Sequence, residues 1–256
     1  LEIGPAVTRF QEGQRVFMTT GRVEGALSCW GGHMQHAIQR EAEVYELPEA
    51  LSSEAASALV IVQVGWNTGH RPAVKSGDVV VVIGDGVIGQ FTAMALRSRG
   101  AEVWLVGHHE MRLKLALGLS ADRVVNTREE DLLEVLLAAH PGGVDVVVET
   151  VCRPEDTPQY VRMLHRWGQL VIAAYHPDTN WVDLAPVQDK EITIHSTGGW
   201  TRERMEATIA DMVAGKLQVE PLITHRVPWQ QAAAAYEHLV RDRAEDSLGI
   251  VIDWLS

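Results

Sequence analysis

The residues with the clearest chemical use are Gly84-Asp85-Gly86-Val87-Ile88-Gly89, a GxGxxG spacing. In such a loop the first glycine permits a tight turn, the second lets backbone approach a pyrophosphate, and the third lets a helix lie close to a strand. The motif carries weight only between a strand and a helix. Here Val79-Val80-Val81-Val82-Ile83 precedes it, a β-branched run suited to a strand buried on both faces, and a helical stretch over 90–98 follows. The expected chemistry is capture of a dinucleotide's phosphates. A helix N-terminus offers free N–H groups and a partial positive charge to them, and Gly84, Gly86, Val87, Ile88 and Gly89 are the expected contacts. A methyltransferase loop is the competing reading, but it usually follows a strand ending in an acid, and Val82-Ile83 carries none.

The end of the next strand bears on which dinucleotide binds. For NAD, an acidic residue belongs there to hold the ribose hydroxyls. The strand Val103-Trp104-Leu105-Val106 ends instead in Gly107-His108-His109, and Glu102 lies at the opposite end. With no carboxylate to repel it, a 2′-phosphate would fit at Gly107, held by His108, His109 and Arg112, the arginine through charge-assisted hydrogen bonds. The sequence thus favours NADP(H), with NAD(H) the alternative; Glu110 weighs against the phosphate.

Placing these residues needs a scaffold, and the rest of the chain supplies its elements. Strands are expected at 102–106, 124–125, 144–148, 169–174 and 191–195, and helices at 111–119, 129–139 and 157–164. Strands alternating with helices predict an α/β fold with a doubly wound parallel sheet. Residues 203–214 and 230–240 then read as helices and 249–254 as a closing strand. Residues 1–46 read as short β segments, and Ser52 as the N-cap of a helix carrying Ala55, Ala56, Ala58 and Leu59. Leu1-Glu2-Ile3-Gly4 reads as the middle of a strand, an abrupt beginning that suggests residues upstream.

The 256 residues suffice for one large domain or two modest ones. A net charge of −12 repels nucleic acid and anionic membranes, so neither is expected as a partner. No apolar run is long enough to span a bilayer and no signal peptide is visible. Cys29 and Cys152 form no CxxC pair, which points away from a disulfide framework or structural zinc knuckle and fits a cytoplasmic location. His33 and His36 would face opposite sides of a strand, which argues against a shared metal. Cys152, at a strand end, reads as a buried small hydrophobe, with a reactive thiol the alternative.

Several stretches in order resemble the medium-chain dehydrogenase/reductase superfamily, the group of zinc-type alcohol, polyol and threonine dehydrogenases and quinone reductases. They are Gly4-Pro5-Ala6-Val7-Thr8-Arg9-Phe10 with Gly13-Gln14-Arg15-Val16, then Gly31-Gly32-His33-Met34-Gln35-His36, Leu47-Pro48 with Leu51-Ser52, Thr68-Gly69 before Lys75-Ser76-Gly77-Asp78, and Pro221-Leu222-Ile223-Thr224-His225. The resemblance implies a Rossmann domain over 47–199, a partial GroES-like β-rich catalytic domain over 1–46, and a return to that domain over 200–256. It also implies that about 60 further residues would precede this segment, carrying a zinc cysteine, a Gly-His-Glu motif and a proton-relay hydroxyl.

Hydride exchange with a small alcohol or carbonyl (or a quinone or enone) is what the resemblance implies. Thr68 and Ile88 would then pack near the nicotinamide, Ala173-Ala174-Tyr175 near its carboxamide, and Thr150, Val151 and Arg153 near the adenosine. Among nearby groups His70 is the proton carrier best suited by its ordinary pKa, with Trp66 and Asn67 lining the substrate pocket. Zinc-type members place a metal ligand four residues before the Thr of the Thr-Gly pair; here that position is Val64, with Gln63 beside it, so no metal ligand is assigned. His225 reads as structural. A homodimer or homotetramer through the sheet edge near 191–200 is implied as well. Two alternatives stay open: a zinc-dependent alcohol or polyol dehydrogenase, and a non-catalytic NADPH-binding scaffold or regulator.

Overall fold

A computed structural model describes residues 2–21, 29–30, 36–175, 183–241 and 245–255. The expected GGxxxH stretch, apart from His36, lies outside these residues. The chain begins with short pairings: β1 (Val16–Met18) and β2 (Thr20–Gly21), then β3 (Cys29–Trp30) and β4 (Val44–Glu46), with β1 antiparallel to β4 and β2 antiparallel to β3. Two helices follow, α1 (Ser53–Ser57) and α2 (Leu59–Gly69). Ser52 caps α1 as expected, its hydroxyl accepting from the Ala55 N–H at 3.0 Å.

The alternating region then runs β5 (Val79–Ile83), α3 (Val87–Ser98), β6 (Glu102–Gly107), α4 (Glu110–Ala116), β7 (Arg123–Asn126), α5 (Leu132–Ala139), β8 (Val144–Glu149), α6 (Thr157–Met163), β9 (Leu164–Ile172), α7 (Leu184–Asp189) and β10 (Thr193–Ser196). The six strands form one parallel sheet in the order β10-β9-β8-β5-β6-β7. This is the doubly wound arrangement, and the strand order reverses between β5 and β8. The chain closes with α8 (Arg202–Val213), β11 (Ile223–Pro228), α9 (Ala232–Arg241) and β12 (Gly249–Asp253), where β11 and β12 pair in parallel.

Period-two alternation in the β-branched strands fills both faces of the sheet. Val80, Val82, Val103, Leu105, Val146 and Val148 pack against Ala93 and Leu96 of α3 and Leu113 and Ala116 of α4. Val81, Ile83, Trp104, Val106 and Val147 point the other way, onto Leu132 and Leu136 of α5 and Tyr160 and Met163 of α6. A third core joins the outer face of α3 to α2 and α8 through Phe91, Met94, Leu59, Val62, Met205 and Ile209. There α2 lies very close to α3. A Cβ on Gly65 would stand 2.4 Å from Phe91 Cβ, and one on Gly69 would stand 2.7 Å from Ala95 Cβ.

The expected elements are present with similar boundaries, α7 and β11 form where the sequence patterns mark no element, and one boundary differs informatively. Strand β9 starts at Leu164, five residues before the expected 169. Its pairing with β8 jumps from Val144↔Leu164 to Val146↔Gln169. The intervening residues bulge out, with Trp167 in the left-handed region at φ 66°. Side chains hold the bulge: His165 Nε2 lies 3.0 Å from Asp145, and the Trp167 indole N–H donates to Glu191 at 3.0 Å.

Candidate active site

The glycine loop leaves the C-terminal end of β5 at the reversal point, where ligands of such sheets bind. Gly84 sits at φ 118°, and a Cβ there would meet the Thr150 hydroxyl at 2.2 Å, so both conformation and space require glycine. That hydroxyl donates to the Ile83 carbonyl at 2.7 Å, locking the ends of β5 and β8 together. A Cβ on Gly89 would lie 1.8 Å from the Gly84 carbonyl oxygen, which is why the third glycine lets α3 start so close to the strand. Gly86 differs: a Cβ there would meet nothing within 4 Å, so it faces open space. Gly86 is the N-cap of α3 and no side chain caps this end, so backbone donors of the first turn are left for a ligand.

In front of the loop lies a cavity of about 710 Å³. It is bounded by Gly84–Gly89, by Gly107, His108, His109 and Arg112 after β6, by Thr127 and Glu130–Leu132 after β7, and by Thr150, Val151 and Arg153 after β8. Tyr160 of α6 also lines it. The Tyr160 hydroxyl is buried and has no hydrogen-bond partner among the described residues. Burial pushes this phenol well above its ordinary pKa, so it is a neutral donor. An open glycine cradle, free helix N–H groups and an orphaned hydroxyl together fit a dinucleotide.

The turn after β6 corrects one expectation. The sequence shows no acid at the strand end, yet a carboxylate stands there, supplied by Asp85 from the glycine loop. Asp85 is buried, and its Oδ2 accepts the backbone N–H groups of His108 and His109 at 2.9 and 2.8 Å. Its Oδ1 lies 2.9 Å from His109 Nδ1 and 3.6 Å from an Arg112 Nη. Burial opposes the charge, but the hydrogen bonds from His109 and His108 outweigh it and hold the carboxyl below its ordinary range. His108 is pushed down by burial and by the neighbouring His109, so it is neutral at pH 7. Arg112 is also bound through Nε to the Ser247 carbonyl at 2.9 Å.

Other expected residues fall elsewhere. Thr68 is fully buried, its hydroxyl donating to the Val64 carbonyl at 2.8 Å. His70 caps the C-terminal end of α2, stacks on Trp66 with ring centroids 4.0 Å apart, and has Nδ1 2.7 Å from the Trp66 carbonyl. Burial pushes its pKa down. Trp66 in turn donates to Asp211 of α8 at 2.8 Å. Gly69 packs on Ala95, eight residues along α3 from Val87, which is about 12 Å at the rise of an α-helix. The structure therefore does not bring Thr68, His70, Trp66 or Asn67 to the glycine loop; none of them lines the cavity. Ala173, Ala174 and Tyr175 also lie outside its lining, and Tyr175 is 83% exposed. Cys152, expected to be buried, is exposed in a turn at φ 56°. Glu149 builds that turn by accepting the Val151 N–H at 2.6 Å and the Cys152 N–H.

Val64, where the resemblance puts a zinc ligand, lies within α2 and offers no donor atom. Gln63 beside it is buried, and neither amide atom has a partner among the described residues. This end of the helix does not fit a zinc ion. Among the described residues one group of ligating side chains comes together, His225, His238 and Asp246, with ligand atoms within 4.8 Å of one another. None of the three lines a cavity described here.

A second cavity, of about 510 Å³, shares Val87 with the first. It lies between β1, the start of α2 and the β11–β12 pair, lined among others by Phe17, Ile61, Phe91, Leu222 and Trp254. Among the described residues Glu54 is its one ionisable lining residue, and it is held by Arg226 through two contacts of 2.8 Å.

Comparison with known proteins agrees with this geometry. A family model described as zinc-binding dehydrogenase matches residues 87–214, half of the chain. A putative D-xylulose reductase of Agrobacterium fabrum is 25% identical over 96% of this chain and 76% of its own length. Sorbitol dehydrogenase of Bacillus subtilis is 27% identical over 90% of this chain and 64% of its own length. Among solved structures, 2R,3R-butanediol dehydrogenase from Bacillus subtilis superposes with a TM-score of 0.85 at 21% identity, over 98% of this chain and 77% of that one. The chain belongs to the zinc-binding dehydrogenase family, alcohol dehydrogenase-like oxidoreductases of the medium-chain superfamily that its motifs resemble. No helix among the described residues is long and apolar enough to cross a membrane.

Proposed function

We propose that the protein binds a nicotinamide dinucleotide in the 710 Å³ cavity and exchanges hydride between it and a small alcohol or the corresponding carbonyl compound. The observation that carries this reading is the uncapped start of α3 at the reversal point of the sheet, with Gly86 open to the cavity. In this reading residues 47–199 bind the dinucleotide, and 1–46 with 200–256 build the catalytic side. The relatives named above support an alcohol–carbonyl pair, since their names are those of polyol and diol dehydrogenases or reductases.

The bound nicotinamide supplies or accepts the hydride. The chain's own work is to orient and to exclude water. The first turn of α3 holds the pyrophosphate, Tyr160 donates to the nucleoside end, and Val87 stands where the two cavities meet. The second cavity receives the substrate; its apolar lining suits a compound with a hydrocarbon body. The chain is proposed to assemble as a dimer or tetramer through the edge strand β10.

The direct test is titration with NADH and with NADPH, followed by quenching of tryptophan fluorescence. Saturable binding of at least one is expected; binding of neither would sink the proposal. A second reading, a dinucleotide-binding protein without turnover, is favoured by one observation: Glu54, the ionisable side chain of the second cavity, is already committed to Arg226. It predicts binding with no oxidation across a panel of small alcohols and polyols.

A further inference from the structure

We propose that Asp85 selects the cofactor, making this site favour NAD(H) over NADP(H), by occupying with its own carboxylate the donors that a 2′-phosphate would need. This inference rests on the dinucleotide reading above.

The argument begins with the donors at the β6–α4 turn. The backbone N–H groups of His108 and His109 converge on one point, and Asp85 Oδ2 sits at that point, 2.9 and 2.8 Å away. His109 Nδ1 reaches Asp85 Oδ1 at 2.9 Å, and Arg112 approaches the same oxygen at 3.6 Å. Three hydrogen-bond donors and one guanidinium are thus arranged as an anion site, and the anion is part of the chain. Arg112 Nε is also committed, to the Ser247 carbonyl.

What is left cannot hold a second anion well. His108 is neutral at pH 7, because burial and His109 push its pKa down. Arg128, nearby in sequence after β7, is paired with Glu245 at 2.7 Å. The acidic side chains Glu130 and Asp131 line the same cavity. An incoming phosphate would meet the Asp85 carboxylate in a cavity that Glu130 and Asp131 also line, and only by displacing Asp85 would it gain the turn's N–H groups. A ribose with a free 2′-hydroxyl brings no charge and is not repelled.

Gly107 fits this account for a steric reason. A Cβ at 107 would lie 2.2 Å from Asp85 Oδ2 and 2.4 Å from its Cγ. The strand end is glycine because the carboxyl of Asp85 fills the space that a side chain at this position would take. The missing acid at the end of β6 and the acid inside the glycine loop are therefore one feature: the negative charge is still present at the turn but arrives from another element.

The experiment measures dissociation constants for NADH and NADPH, by fluorescence quenching or calorimetry, in the wild type, Asp85→Asn and Asp85→Ala. The wild type is expected to favour NADH by on the order of tenfold or more, the scale of a like-charge clash in a partly buried site. Asp85→Asn keeps the shape and removes the charge, and should cut that preference by roughly tenfold. Asp85→Ala also frees the two N–H groups and should lower it at least as far. A wild-type preference for NADPH would overturn the proposal without any variant having to fold. So would an unchanged ratio in a folded Asp85→Asn. In either case dinucleotide binding itself would stand; binding of neither nucleotide would instead remove the dinucleotide reading, and this proposal with it.

Discussion

Tyr160 carries a buried hydroxyl without a partner among the described residues, at the wall of the larger cavity. An unmade hydrogen bond on a buried group costs about 1–3 kcal/mol. Tyr160→Phe should therefore raise the stability of the ligand-free protein by about 1 kcal/mol in urea unfolding. The same change should weaken dinucleotide binding several-fold, because the hydroxyl's partner arrives with the ligand. A loss of stability in this variant would show that the hydroxyl is satisfied within the chain. Asp85 makes a prediction in pH. Its folded carboxyl titrates below the ordinary value, so the folded state binds the ionised form more tightly than the unfolded chain does. That stabilisation is complete above the unfolded value of about pH 4 and is lost as pH falls through the lower folded value. Thermal midpoints below about pH 4 should fall less steeply in Asp85→Asn than in the wild type. The glycine spacing was readable in the sequence because the loop is local. The partnership of Asp85 with His108 and His109 was not, since it joins residues more than 20 apart and depends on how two turns meet. Cys152 was misread for a similar reason: Glu149 captures the next N–H groups and turns the chain outward just after β8.

At the scale of elements, the close approach of α2 and α3 rests on glycines four residues apart, which share one helix face. Gly65→Ala would bring a methyl to 2.4 Å from Phe91 Cβ and should cost about 2–3 kcal/mol, as overpacked cores do, measured by denaturant unfolding. Gly86→Ala should cost much less stability, because its Cβ meets open space. It should act on dinucleotide affinity instead. Equal destabilisation by the two would contradict the packing described. The sequence patterns located each sheet strand, since β-branched runs buried on both faces are distinctive. They did not locate Thr68 and His70. A Thr-Gly pair matches the family pattern wherever it stands on a helix, and only the packing of Gly69 on Ala95 shows that this pair lies toward the far end of α3. The bulge at Trp167 was also hidden, because its causes, Asp145 and Glu191, come from neighbouring elements.

At the scale of the whole molecule, the six-stranded parallel sheet follows from alternation of strand and helix, and so was legible in advance. The second cavity was not, because it is assembled from β1, α2, α3 and the β11–β12 pair, segments spread over most of the chain. Its shared wall with the first cavity at Val87 gives a test of their division of labour. Ile61→Trp would fill the second cavity from a partly exposed position on α2. It should raise KM for any substrate found while leaving the dissociation constant for the dinucleotide unchanged. A parallel loss of dinucleotide affinity would mean that the two cavities serve one ligand.

The fit of Asp85 into the space beside Gly107 also constrains the order in which this site could change by single substitutions. A carboxylate introduced at 107 while Asp85 is present would collide with it and set two negative charges side by side. Removing Asp85 first opens the space, and Gly107→Asp then becomes possible. The same two changes should thus be damaging in one order and passable in the other, a dependence of mutational history that arises from one carboxyl filling the space beside one glycine.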